Sequence, residues 1–388
     1  MIRLSFFVEE KNASLIKSGE TLCGDYVAVR RTPNSFIAVL SDGLGSGVKA
    51  NILATLTAKI ASTMLANGSS LPEVVHTLLE TLPKCKVRGI AYATFTVVQV
   101  FRDGRLYVAE SDNPELLFFR DNRPYPLPRE ESVIENKVIY ESSFNLKEND
   151  VLVFFSDGVV NAGIGGIKPL GWPVKEIALE CQTIIEERGT KFAAKDITEH
   201  LKDRCREFYR SQIGDDSTIV CLKVRPPRKA VVAIGPPKDK YKDKEFVESF
   251  FLKPGKKVVC GGTTSTILAR ELGKELKVNL DITTSDPPTG EIDGIDLVTE
   301  GIVTLCKAID LIYEVDGRAS LIRDNDGASR LARILLKSDK VDFQVGQAIN
   351  PAHQNTNLPH YLALKNQVVK ELSDILQSLG KEISIVYY

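Results

Sequence analysis

The sequence predicts an α+β protein: an antiparallel β-sandwich flanked by helices, followed by a separate α/β domain. Three observations predict it. Up to residue 225, short apolar runs of period two are joined by turn residues, with helical runs in blocks, the pattern of antiparallel sheets covered by helices. Further on, strand-like and helix-like runs alternate, which indicates an α/β domain. Between the two stand Pro226 and Pro227, flanked by Arg225 and Arg228, and then Pro236 and Pro237 with a Lys/Asp-rich tract; such segments resist regular structure. The expected division is a first domain at 1–225, a linker at 226–244 and a second domain at 245–388.

In the first domain, residues 26–31 and 35–40 read as strands joined at Thr32, Pro33 and Asn34. Residues 48–66 and 71–82 read as helices, and 92–101 with 105–111 as a hairpin around Asp103-Gly104. Further strands are expected at 116–120, 151–156 and 217–224, and helices at 174–188 and 193–209. In the second domain the expected strands are 257–260, 296–299 and 383–387. The expected helices are 263–276, 302–313, 329–337 and 367–379. Residues 281–294 and the polar cluster 350–357, which ends near His360, read as loops.

Composition excludes several classes. Of 388 residues, 43% are hydrophobic and 26% charged, too apolar for a disordered chain. Lys+Arg (50) and Asp+Glu (51) leave a formal charge of −1, with no electrostatic footprint for nucleic acid or an anionic membrane. Seven Cys with no CxxC pair, and four scattered His, speak against a disulfide framework and a structural zinc site and for a cytoplasmic address. The amino-terminal stretch turns acidic at Glu9 and Glu10, unlike a signal peptide, and the apolar run at 48–66 carries Lys49, Asn51 and Lys59, so it reads as a core helix.

Asp-Gly occurs six times, and most such pairs are turns. Two stand apart, because Asp42-Gly43 and Asp157-Gly158 each follow Ser at the end of an apolar strand of the sort buried on both faces. A carboxylate there is rigidly held and partly desolvated, which suits a metal ligand. Asp25 opens the strand before that of Asp42, and Asp215-Asp216 opens the strand at 217–224. A buried pair of like charges calls for a cation, and carboxylates with no His or Cys nearby select Mg²⁺ or Mn²⁺.

Five motifs occur in order: Cys23-Gly24-Asp25-Tyr26, Ser41 to Gly47 (SDGLGSG), Ala93-Thr94-Phe95-Thr96, Ser156-Asp157-Gly158, and Gly214 to Thr218 (GDDST). Together they resemble the metal-dependent protein phosphatases of type 2C, in the branch typified by stage II sporulation protein E. The resemblance covers about residues 1–225. It implies a β-sandwich with the active site between its sheets, and hydrolysis of phosphoserine or phosphothreonine by a water held between two divalent ions, Mn²⁺ or Mg²⁺. It further implies that Asp42 bridges both ions, that Gly43 supplies a carbonyl, and that Asp25 acts on one ion directly or through water. Asp157 would ligate the first ion and Asp215 the second; either Asp215 or Asp216 could be the ligand of that pair. The implied catalytic set is Asp42, Asp157 and Asp215. The implied partner is a phosphoprotein of the anti-anti-sigma kind.

This chain departs from the family pattern in having no His before Asp42, and in reading Glu110-Ser111-Asp112-Asn113-Pro114 where the branch has Ala-Gly-His-Pro. Arg30 and Arg31 are candidates for a phosphate contact; strand alternation lets at most one point inward. These departures keep an alternative open, a catalytically weak pseudo-phosphatase that binds a phosphoprotein or a metabolite. The Gly43, Gly45 and Gly47 spacing is not a dinucleotide fingerprint, and no acid occurs between Gly43 and Pro72 to meet a ribose. The helices at 48–82, which begin in that acid-free stretch, read either as core packing or, by the resemblance, as the link from the site to a partner or to the second subunit of a homodimer.

In the second domain, Gly261, Gly262, Thr263 and Thr264 lie between a strand and a helix. They read either as helix-capping chemistry or as an anion site. The domain is expected to be regulatory, binding a small ligand or a partner.

Overall fold

The computed structural model describes residues 6–81, 93–134, 137–210, 212–279, 289–348 and 360–388. The polar cluster at 350–357 lies outside them, as does the 281–288 part of the expected 281–294 loop. Two compact units divide at Pro226/Pro227.

The first unit contains β1 (Phe7–Leu15), β2 (Asp25–Arg31), β3 (Ser35–Gly43), α1 (Gly47–Ala66), α2 (Leu71–Thr81), β4 (Ala93–Phe101), β5 (Arg105–Ser111), β6 (Leu117–Arg120), β7 (Arg123–Pro124), β8 (Glu130–Ile134), β9 (Lys137–Asn145), β10 (Val151–Phe155), α3 (Asp157–Val160), α4 (Val174–Arg188), α5 (Ala194–Tyr209) and β11 (Ser217–Arg225). The strands form two antiparallel sheets, ordered β1-β11-β10-β6-β7 and β2-β3-β4-β5-β9-β8.

Alternation explains why the central strands are apolar throughout. On β3, Phe36, Ala38 and Leu40 enter the core between the sheets, where they join Leu152 and Phe154 of β10 and Val220 and Leu222 of β11. Ile37 and Val39 point the other way, against Leu53, Ala58 and Leu65 of α1 and Val74 and Leu78 of α2. Val153 and Phe155 of β10 likewise face Ile177 and Cys181 of α4 and Leu201 of α5, with Trp172 filling the layer. The result is four layers, helix–sheet–sheet–helix. The expected strands and helices of this part are present. The strands β1, β8 and β9 were not foreseen, because charges such as Glu9, Glu10 and Lys11 break their apolar pattern.

The second unit contains β12 (Lys229–Ile234), α6 (Asp243–Leu252), β13 (Lys256–Cys260), α7 (Gly262–Leu272), β14 (Lys277–Asn279), β15 (Thr289–Glu291), β16 (Leu297–Thr299), α8 (Ile302–Glu314), α9 (Gly327–Lys337), β17 (Lys340–Val345), α10 (His360–Ser378) and β18 (Glu382–Tyr387). Its sheet is mixed, ordered β14-β15-β16-β13-β12-β17-β18, with β16, β13, β12, β17 and β18 parallel. Helices α6 and α7 cover one face, through Phe246, Phe250 and Leu268; α8, α9 and α10 cover the other, through Leu305, Leu331 and Leu372.

The expected linker at 226–244 needs correction. Residues 229–234 are β12, the strand between β13 and β17, and α6 starts at Asp243. A six-residue run buried on both faces has no periodicity, and the prolines on either side masked it.

Candidate active site

Strand register brings the acids together. Asp25 opens β2 directly opposite Asp42 on β3, and Asp42 faces Thr94 on β4. In the other sheet, β10 ends at Phe155 and passes the chain to Ser156 and Asp157. Asp215 and Asp216 lead into β11, which pairs with β10. Ser156 ties the two sheets: its Oγ donates to Asp25 Oδ2 at 2.7 Å and accepts from Thr218 N at 2.9 Å.

The glycines of the two Ser-Asp-Gly sequences serve close approach. A Cβ on Gly43 would lie 2.1 Å from the Ala50 carbonyl oxygen of α1, and one on Gly158 would lie 1.9 Å from the Asp216 carbonyl oxygen. Gly24 is similarly confined, with Asp216 Oδ2 2.9 Å from the Cβ position. Only a residue without a side chain lets α1 and the Asp215-Asp216 turn close around the acids.

Asp25 and Asp216 are 5% and 4% exposed, so charge here is poorly solvated. Burial pushes the Asp42 carboxyl up to about 9, with Asp25 and Asp157 adding to the effect, and Asp25 up to about 7. Burial also raises Asp157, with Asp215 adding. Asp216 Oδ1 accepts from Lys17 N at 3.0 Å, while Asp25 Oδ1 and Asp216 Oδ2 are buried with no partner among the described residues. Among the described residues no three His, Cys, Asp or Glu side chains form a ready ligand set. Five carboxylates with two orphaned oxygens fit a hard divalent cation.

The structure therefore assembles Asp25, Asp42, Gly43, Asp157, Asp215 and Asp216. It does not bring Arg30 or Arg31 to them, which corrects that expectation. Both lie at the far end of β2 from Asp25, five and six residues along, or about 16–20 Å at strand rise. Arg30 Nε reaches Ser62 Oγ at 3.4 Å; Arg31 donates to the Val8 carbonyl at 2.7 Å and stacks on Phe7 and Phe36. Gly261, Gly262, Thr263 and Thr264 belong to the other unit, at the start of α7.

Three residues near the site escaped sequence reasoning. Lys17 follows β1, whose pairing with β11 sets Leu15 opposite Ser217, and its Nζ is 3.6 Å from Asp215 Oδ1. Asn113 bridges β4, accepting from Thr94 Oγ1 and donating to Thr96 Oγ1 at 3.0 Å. Its only sequence signal is that it sits in the departed Ala-Gly-His-Pro position. Asn51 of α1 donates to the Cys23 carbonyl at 2.8 Å, holding the turn before Asp25.

The family model of stage II sporulation protein E matches residues 32–225, half of the chain. Among solved structures, the chain is similar to the phosphatase domain, with a fragment of the regulatory domain, of SpoIIE from Bacillus subtilis: 20% identity, TM-score 0.47, covering 57% of this chain and 64% of that one, just under two thirds of its length. It is also similar to RsbX in complex with magnesium (14%, TM-score 0.41, covering 56% and 95%) and to the S. agalactiae serine/threonine phosphatase (14%, TM-score 0.41, covering 56% and 99%). No curated protein matches. With its matched domain, its five ordered motifs and its four-layer fold, the chain belongs to the stage II sporulation protein E family.

Proposed function

We propose that the first unit is a serine/threonine protein phosphatase that hydrolyses phosphoserine or phosphothreonine on a regulatory phosphoprotein, with two divalent cations, Mn²⁺ or Mg²⁺. The observation that carries this reading is the buried acidic cluster with unpartnered oxygens on Asp25 and Asp216. Asp42, opposite Asp25 and within the electrostatic reach of Asp157 and Asp215, would hold both ions, with Gly43 offering its carbonyl. Asp157 and Asp215 would complete the ligand sets, and Asp25 with Asp216 would hold the inner side. Bound there, the cations supply a water of lowered pKa and neutralise phosphoryl charge. The chain's own residues do the rest: Ser156 fixes Asp25, Asn51 holds the turn before it, and half-exposed Lys17 offers an ammonium at the rim to an incoming phosphate. The second unit is proposed to be regulatory, through a ligand of its own.

The test is hydrolysis of p-nitrophenyl phosphate with Mn²⁺, alongside calorimetric counting of bound Mn²⁺. Two ions and metal-dependent turnover are expected. A second reading, a phosphoprotein-binding module with little turnover, draws on the diversion of Arg30 and Arg31 and on Asn113 at the departed position. Phosphopeptide binding without turnover would select it.

Leu44, Val48, Ile52 and Leu56 are all exposed at four-residue spacing, the last three along α1. This stripe supports the proposal of a second subunit docking there. Sedimentation should show a dimer that Ile52→Glu dissociates; a wild-type monomer at all concentrations would refute it.

A further inference from the structure

The second unit holds an arrangement that the phosphatase reading does not use and that does not depend on it. Strands β13 and β16 run parallel, with Cys260 beside Thr299; β13 is followed directly by a glycine, β16 by Glu300 and a glycine, and each glycine leads into a helix. Gly261, at φ 118°, precedes α7; Gly301 precedes α8. The two glycines are adjacent: Gly261 N donates to the Thr299 carbonyl at 2.9 Å, and a Cβ on Gly301 would be 3.8 Å from Gly261 Cα. Two helix N-termini thus open side by side at the carboxyl edge of the sheet, where ligands of such sheets bind.

Neither N-terminus is capped by a side chain. The contrast within the same unit is α9, where Asp326 accepts from Ala328 N at 2.9 Å and from Ser329 N at 3.2 Å. The expected capping role of the hydroxyls after Gly261 is not met: Ser265 and Thr266 fold back onto the Gly262 carbonyl.

A second observation points to a ligand. Thr264 and Thr304 occupy the same third position of α7 and α8, each is 1% exposed, and neither Oγ1 has a hydrogen-bond partner among the described residues. Helical side chains lean toward the N-terminus, and Thr264 Oγ1 does so, lying 3.3 Å from where Gly261 would carry a Cβ. A third buried, unpartnered atom is Glu300 Oε2, on the residue just before Gly301. Gly262 and Thr263 are exposed, so the mouth is open to solvent.

These groups define the ligand by complement. The first-turn N–H groups of two helices and two hydroxyls favour an anion and offer more donors than one carboxylate can accept, whereas a phosphate can use them. An ionised Glu300 only accepts, and repels a bare phosphate; it needs a hydroxyl donor attached to that phosphate. We propose that Gly261–Thr264 and Glu300–Thr304 form a binding site for a phosphorylated sugar, free or as the ribose phosphate of a nucleotide. The phosphate lies across the N-termini of α7 and α8, and a sugar hydroxyl donates to Glu300.

The experiment is isothermal titration of the full chain with ribose 5-phosphate, AMP, ribose and inorganic phosphate. EDTA is included so that the acidic cluster of the first unit takes no phosphate through a metal. Ribose 5-phosphate or AMP should bind at least about tenfold more tightly than inorganic phosphate or ribose, and the tighter of the two identifies the source. Thr264→Val and Thr304→Val should each weaken that binding about tenfold, and Glu300→Gln should narrow the gap to inorganic phosphate. Both valine variants are isosteric and remove a desolvated hydroxyl, so without ligand their Tm should hold or rise. No binding by any probe, equal binding of inorganic phosphate, indifference to both valine variants, or a fall in their ligand-free Tm would each overturn the site.

Discussion

The two units leave polar groups unsatisfied in opposite senses. The first gathers acceptors: five carboxylates, with buried unpartnered oxygens on Asp25 and Asp216. The second gathers donors, in the uncapped N-termini of α7 and α8 and the hydroxyls of Thr264 and Thr304, with Glu300 as the one acceptor among them. On the two proposals, a cation would complete the first site and an anion the second. The difference teaches which kind of site a sequence displays. Carboxylates are side chains, and Ser-Asp-Gly at the end of an apolar strand can be read directly. Helix N–H groups are backbone, present in every helix, and become a site only when two N-termini meet and nothing caps them.

The sharpest break of the comparison is Asp42→Asn. Activity with Mn²⁺ should fall about 1,000-fold, since the residue facing both halves of the cluster loses its charge. In EDTA the same variant should be more stable than wild type, by about 1 kcal/mol, because burial without a cation forces Asp42 to take up a proton near neutral pH and Asn needs none. Thermal unfolding in EDTA and p-nitrophenyl phosphate hydrolysis check the two signs together. Retained activity, or a stability loss, would show that the acids are not held in mutual repulsion awaiting a cation.

Next comes the backbone that brings the acids close. Gly158→Ala sets a methyl group 1.9 Å from the Asp216 carbonyl oxygen, and neither partner is a flexible side-chain end. A destabilisation of about 1–3 kcal/mol is expected, with weaker Mn²⁺ binding as Asp157 and Asp216 are pushed apart. Gly165→Ala serves as a control: it meets no atom within 4 Å, and although its φ is 72°, only the smaller cost of that backbone strain applies. Denaturant midpoints for the two variants should rank in that order.

These glycines also mark the limit of sequence reading. Asp42 and Asp157 were legible as candidate ligands, but the reason for Gly43 and Gly158 lies in Ala50 and Asp216, residues that approach only in the folded chain. Lys17 was hidden because it reaches Asp215 through the pairing of β1 with β11, some 200 positions apart in sequence. Arg30 and Arg31 misled because nearness to Asp25 along a strand is not nearness in space. β12 was lost between prolines, and with it the parallel core of the second unit. Residue type and local period were visible; contacts made by long-range register were not.

The smallest expected effect lies on the donor side of the comparison, at Lys365 of α10. Its side chain is buried beside Gly235, at the carboxyl edge of β12 and β17, and its ammonium donates to the Gly346 carbonyl and, at 3.4 Å, to that of Ala348. Burial lowers its pKa to about 8 from 10.5. Between those values the unfolded chain binds more protons than the folded one. Stability therefore rises with pH through this window, by at most about 1.4 kcal/mol per pH unit, and the full penalty of burying the charge is present below it. Lys365→Met should remove that contribution, so that the variant gains on wild type at pH 7 and the gain shrinks by pH 10. Urea unfolding at the two pH values measures the difference. An unchanged gap would mean that the two carbonyls compensate the buried ammonium fully, and that this donor, unlike those at α7 and α8, is already satisfied by the protein itself.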